Sequence, residues 1–257
     1  MKTMYSLFLI CSGVLFLTSC SSVVVRQSNP ALVNPEQNTT SGQLNAAVEV
    51  GGSETYELSS DASNRPPNVV PEIIDKKYEI RGLLKYSFTE KFQVSAGLTH
   101  FFGINLLAKY NLIGDTQNSF SLALYGLANH DLTTKNGDQS GTFGAGGYPW
   151  KAAGRSMLTV AGVSLGYRFS ETFLLFVNQA AIGRARLNVK IEQDAANGDQ
   201  GGVYTESTDA QLLNSGLGFV LGKQQPLTVG VTYTEKRWPE QHLGRVYNTT
   251  FELRFGY

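Results

Sequence analysis

The sequence predicts an all-β fold, a transmembrane antiparallel up-and-down β-barrel of ten strands, or eight if the start of the chain is divided too finely. Three observations carry that expectation. Apolar and polar residues alternate through ten separate segments. The connections between segments tend to be short and long by turns. Several polar faces are small rather than charged, such as Gly162, Ser164 and Gly166, or Asn214, Gly216 and Gly218. A water-facing surface has no reason to avoid Lys and Glu there; a narrow interior does.

In chain order, Lys2 precedes an apolar run from Tyr5 to Leu17 that is too short and wrongly flanked for a membrane helix, and so reads as a signal peptide. Residues 20–41 are rich in Ser, Asn, Gln, Thr and Pro without a sustained period, which predicts a flexible tether. The barrel is then expected over residues 42–257. Its segments begin with residues 43–50 and 78–88, the second carrying Tyr78, Ile80, Leu84, Tyr86 and Phe88 on one face. The third is marked by Phe92, Val94 and Leu98, the fourth by Ile104, Leu106, Tyr110 and Leu112. Residues 120–129, 157–169, the stretch from Phe173, residues 210–222 and 227–234 supply the next five. The last twelve residues alternate Tyr247, Thr249, Phe251, Leu253, Phe255 and Tyr257 against Asn248, Thr250, Glu252, Arg254 and Gly256. Short turns are expected at residues 89–91, 114–119, 170–171 and 223–226. Long loops are expected at 51–77, 130–155, 190–205 and 235–245. The connection at 100–103 is short where a long one should fall.

Two stretches carry a resemblance. Leu17-Thr18-Ser19-Cys20 resembles the lipobox of bacterial lipoproteins. It implies removal of residues 1–19 as the signal and acylation of Cys20 on its thiol and new amino group. Cys11 would leave with the signal, and Ser21 is compatible with sorting to the outer membrane. The closing strand, ending on Tyr257, resembles that of bacterial outer-membrane β-barrels, whose terminal aromatic residue is read by the barrel-assembly machinery. The two resemblances imply a bacterial outer-membrane location. Outer-membrane lipid and the assembly machinery are the implied partners, with the lipid anchor on the periplasmic side and the long loops outward.

Alternation alone fits a soluble lipocalin-like barrel equally well, with the apolar face turned inward. Small residues on the polar face argue against that arrangement. So do apolar-face aromatics gathered beside the short turns: Phe88, Phe92, Tyr110, Phe120, Tyr167, Phe169 and Phe173. They form the girdle expected at one membrane interface.

Function is less legible. Acidic and basic residues balance at 21 each, so no field points to nucleic acid. His100, His130 with Asp131, and His242 fall at the long-loop end. Omptin proteases place Asp and His at such a rim, but the likeness is architectural and no motif matches. Residues 141–147 lack the Gly-Lys-Ser/Thr ending of a phosphate loop, and Asp194, Asn197 and Asp199 depart from calcium-loop spacing. No catalytic residue, metal ligand or cofactor is therefore assigned. Ten charges are expected inward: Glu49, Glu79, Arg81, Lys85, Lys109, Arg168, Arg184, Arg186, Glu252 and Arg254, with Glu49 and Arg254 meeting near the seam. A lumen of about ten strands is nearly filled by side chains, so a salt-bridged plug is expected rather than an open pore. The expected role is a membrane scaffold or surface-interaction protein acting through its outer loops. The alternatives are a narrow, anion-favouring channel and a surface hydrolase using the rim histidines. The lipobox makes one direct prediction: mass spectrometry of membrane-extracted protein finds an acylated N-terminal Cys20, and Cys20→Ala removes the anchor while leaving the barrel folded.

Overall fold

The computed structural model describes residues 21–36, 41–60, 70–99, 103–114, 119–131, 139–143, 148–193, 202–222, 227–240 and 244–256. The described elements are all strands: β1 (Ser21–Ser28), β2 (Gln43–Ser60), β3 (Val70–Ser87), β4 (Phe92–Thr99), β5 (Gly103–Ile113) and β6 (Phe120–Asp131). They continue with β7 (Gln139–Phe143), β8 (Tyr148–Ser170), β9 (Phe173–Gln193), β10 (Gly202–Leu221), β11 (Leu227–Glu240) and β12 (Gly244–Gly256). β1 and β7 lie off the ring. The other ten pair antiparallel with their neighbours, from β2 through β3 round to β12. The chain is an up-and-down β-barrel, and each of the ten alternating segments supplies one staff of it.

Closure is thin. Among the described residues β12 meets β2 through two residue pairs, Phe255 with Val50 and Gly256 with Glu49. β2 has another partner on that edge, because Ser21–Ser28 of β1 pairs with it from Ser60 down to Ser53. β1 is enclosed, with Val23 and Val25 buried against Leu127 and Leu158. The chain continues through Asn29–Glu36 down the lumen before β2 begins at its floor. The tether expected over residues 20–41 is thus replaced, for residues 21–36, by a strand and an interior segment. The physical reason is that Val23-Val24-Val25 is a β-branched run suited to a strand, and the polar residues after it find partners only inside the ring.

The strands also outrun their expected ends. β8 starts at Tyr148, inside the expected 130–155 loop, and carries β7 as an added hairpin. β9 and β10 stay paired out to Gln193 with Gly202, and β11 and β12 to Glu240 with Gly244. Much of each expected loop is a hairpin standing above the ring.

Polarity inverts between these two storeys. Near the short turns the inner face is mainly polar, with Asn111, Ser121, Ser164, Asn178 and Thr232 buried beside a small apolar cluster of Leu174, Phe176 and Val220, while Tyr86, Leu106, Leu124, Leu165 and Leu217 are exposed outside. In the upper storey Leu158, Leu187, Val189, Leu212 and Trp238 turn inside, where they surround the buried Glu54, Asp131 and Lys236. The outer surface there carries ion pairs, Arg186 with Asp209 and Arg237 with Glu235. Hydrogen bonds from Arg186 hold the Asp209 carboxyl below its ordinary range.

The crossover corrects one expectation. Ala161 pairs with Ile182 and Gly162 with Ala180, so Ala181 has no partner on β8. This bulge shifts the phase of β9. Leu174, Phe176 and Asn178 point inward before it, and Ala185, Leu187 and Val189 after it. Arg184 and Arg186, expected in the lumen, therefore face outward.

Inward glycines make room for the lumen segment. A Cβ at Gly216 or Gly230 would come within 2.5 Å of Leu32, and one at Gly166 within 2.8 Å of Pro35. At Gly230 it would also lie 2.5 Å from the Leu217 carbonyl oxygen and 2.8 Å from the Gly218 Cα. Gly230→Ala is expected to destabilise the barrel by about 1–3 kcal/mol through overpacking. Gly82→Ala meets nothing within 4 Å and should stay within about 0.5 kcal/mol of the parent. Thermal unfolding in detergent micelles measures both.

Candidate functional site

The lumen gathers the polar chemistry of the molecule, and the N-terminal segment lies at its centre. Working downward from the long-loop end, Gln27 Nε2 donates to the Met157 carbonyl at 3.2 Å. The Ser28 backbone N–H donates to Asp131 Oδ2 at 2.8 Å. Ser28 Oγ lies 3.0 Å from both Glu79 Oε2 and Asp131 Oδ1, so its one proton serves either carboxylate. Ser156 Oγ donates to Asp131 Oδ2 at 3.0 Å. Asp131 thus accepts from the segment and from β8 together.

Arg81 crosses below this point. Its Nε donates to Glu79 Oε1 at 2.6 Å and its Nη2 to the Asn29 carbonyl at 2.8 Å. Glu49 stands 3.7 Å from Arg81 Nη1. Glu79 and Arg81 share a strand face at a spacing of two, so alternation places both inward, and both are fully buried. From β11, Lys236 Nζ donates to Glu54 Oε2 at 2.8 Å, to Tyr56 OH at 2.9 Å and to Asn29 Oδ1 at 3.1 Å. Its ammonium also stands 5.2 Å from the Tyr56 ring centroid, and Trp238 meets the same ring edge-on at 5.6 Å. Asn29 is therefore gripped from both sides, by Arg81 through its carbonyl and by Lys236 through its side chain.

Midway down, Asn178 copies a neighbouring strand. Its Oδ1 accepts from the Val33 N–H at 2.8 Å, and its Nδ2 donates to the Val33 carbonyl at 2.9 Å. Ser164 Oγ donates to the same carbonyl at 2.6 Å. An extended segment away from any ladder must satisfy its backbone with side chains, and these two supply them. At the floor, Lys109 Nζ donates to the carbonyls of Asn34 at 3.2 Å and Glu36 at 2.6 Å. Asn111 donates to the Pro35 carbonyl, and Arg168 Nε donates to Glu36 Oε1 at 2.7 Å.

Of the ten charges expected inward, Glu49, Glu79, Arg81, Lys85, Lys109 and Arg168 face the lumen. Arg184 and Arg186 do not, and the side chains of Glu252 and Arg254 lie outside the described residues. The expected Glu49–Arg254 contact therefore lies outside the described residues as well, and Glu49 stands beside Arg81. Cys20, Tyr257, His100, His242 and residues 194–199 also lie outside the described residues. His130 and Asp131 are consecutive on β6 and so point to opposite faces. His130 sits outward with Nδ1 2.9 Å from the Ser156 carbonyl, while Asp131 serves Ser28 and Ser156 within. They do not form an acid–base pair. Among the described residues no three of His, Cys, Asp and Glu gather as a metal site.

Sequence reasoning missed Ser28, Asn29, Glu36, Glu54, Asp131 and Lys236 as lumen residues. A signal existed for Lys236. The alternation of residues 227–234 continues through Thr234, Lys236 and Trp238, and following it two residues further places the lysine inside.

The arrangement is suited to holding a chain segment, since its donors and acceptors are spent on residues 27–36. No protein-family model matches the chain, and no curated protein matches it.

A buried ion pair broken on one side costs about 3–5 kcal/mol because a charge is left without compensation. Glu79→Gln should approach that loss, since it removes the closer of Arg81's two carboxylates. Glu49→Gln should cost clearly less, because Glu79 still answers Arg81. Heat-unfolding midpoints in detergent order the two variants, and an equal loss for both would contradict the geometry.

Proposed function

We propose that the chain is a bacterial outer-membrane β-barrel of lipoprotein type, acting as a membrane scaffold or surface-interaction protein, with its lumen stoppered by its own N-terminal segment. The carrying observation is the outward apolar belt of the lower storey around a polar interior. Tyr78, Ile80, Leu84 and Tyr86 of β3, with Phe88 just after it, run along it, 38–67% exposed. In water that much contiguous apolar surface would be an aggregation liability. Ten residue steps of about 3.3 Å, tilted by about 40°, rise about 25 Å, the height of the apolar band of such barrels.

Exposed aromatics beside the short turns support the same reading. Phe88 stacks on Phe92 at 5.6 Å between ring centroids, and Phe169 packs on Tyr167 at 4.9 Å and Phe173 at 5.7 Å. They form the interface girdle expected at one edge of the bilayer. The upper storey, with an apolar cluster inside and ion pairs outside, suits water and offers hairpins to a partner. A narrow channel would require residues 21–36 to leave the path they fill.

Epitope tags within residues 195–202 are expected to be reachable on intact cells, and tags within 89–91 only after permeabilisation. The purified full-length protein should give no stable, large conductance steps in planar bilayers. Reversed labelling would overturn the orientation, and large steps would promote the channel.

A further inference from the structure

The path of the N-terminal segment fixes the end of the barrel from which it enters. Ser21 pairs with Ser60 and Ser28 with Ser53. Ser60 stands at the long-loop end, because β2 and β3 remain paired up to Ser59 with Val70 before the chain turns. Asn29 extends the same ladder, its N–H donating to the Gly52 carbonyl at 3.0 Å. Val33 is then met by Asn178 and Ser164 halfway down. Glu36 reaches Arg168, whose backbone N–H bonds the Ser119 carbonyl beside a short turn. Gly42 closes the descent, its N–H donating to the Ser87 carbonyl where β2 starts upward. Extended at about 3.3 Å per residue, Ser21–Glu36 spans up to about 50 Å. β8, with 23 residues, rises by a similar height when tilted about 40°.

The segment therefore traverses the barrel from the long-loop end to the short-turn end. The lipobox cysteine immediately precedes Ser21, and one peptide unit spans only about 3.8 Å. An anchor on the short-turn side is incompatible with this path, since no slack separates Cys20 from the paired strand. It would require β1 and residues 29–36 to be withdrawn, with the loss of every lumen contact that residues 27–36 make.

We propose that the mature N-terminus leaves the barrel on the face of the long loops, so that the acyl group implied for Cys20 is carried on that face and the chain crosses the membrane depth inside its own barrel. The inference rests on the membrane-barrel reading, and its relative form, that the N-terminus and the long loops share one side, holds whichever side is outward.

The test places an epitope tag between Ser21 and Ser22 of the full-length chain and probes intact and permeabilised cells. Parallel chains carry tags within residues 195–202 and within 89–91. The N-terminal tag is expected to label with the 195–202 tag. Labelling with the 89–91 tag instead would overturn the proposal while leaving the barrel orientation standing. If 89–91 is the reachable site and 195–202 is not, the orientation fails, and the proposal still stands only if the N-terminal tag follows 195–202. A second measurement covers a tagged chain that does not fold. Val24 and Glu57 are register partners, so Val24→Cys with Glu57→Cys in the untagged chain should form an oxidant-dependent cross-link that alters gel mobility. Absence of the cross-link in folded, heat-modifiable barrel would overturn the traverse.

Discussion

The rest of the molecule depends on one requirement: polar groups shut inside a narrow ring must be satisfied there. Ten strands enclose too little space for bulk water, and an uncompensated charge in that space costs several kcal/mol. The ring supplies Arg81, Lys109, Lys236, Asn178 and Asp131 on its inner wall. The N-terminal segment supplies the carbonyls, N–H groups and short polar side chains that these residues need. Neither half is stable alone, because each presents the donors or acceptors that the other leaves unanswered.

Inversion of polarity between the storeys follows from the same constraint. In the lower storey the inside takes mainly polar residues and the outside takes Leu, Tyr and Phe. In the hairpins above, Leu158, Leu187 and Trp238 turn inward beside the buried charges Glu54, Asp131 and Lys236, and the ion pairs of Arg186 and Arg237 turn out. The bulge at Ala181 lets one strand serve both regimes, since it moves Arg184 and Arg186 outward without breaking the ladder with β8.

How much of this was legible in the sequence depended on period. Strict alternation with large apolar residues located all ten staves of the ring, and small residues at 162–166 and 214–218 announced a crowded interior. What crowded it was not legible. Gly166 and Gly216 read as signs of narrowness, whereas they are seats for Pro35 and Leu32. Residues 21–36 carry Ser, Asn, Gln and Pro, the composition of a solvated linker. Composition does not distinguish polar groups that face water from polar groups that face the inside of a polar barrel. The phase change in β9 was equally hidden, because Ala181 resembles any other small strand residue and only the partner strand reveals that it is skipped.

Ring closure by two residue pairs has a consequence for assembly order. β1 occupies the upper edge of β2 from within, and a strand followed by a gripped segment cannot be drawn into a finished ring through side chains packed this closely. The lumen segment must therefore be laid against β2 while the sheet is still open. β12, joined to β2 among the described residues at its foot, can then swing shut around it. On this account the first described residues act as the mandrel on which the barrel is rolled, and the thin seam is the trace left by the last turn.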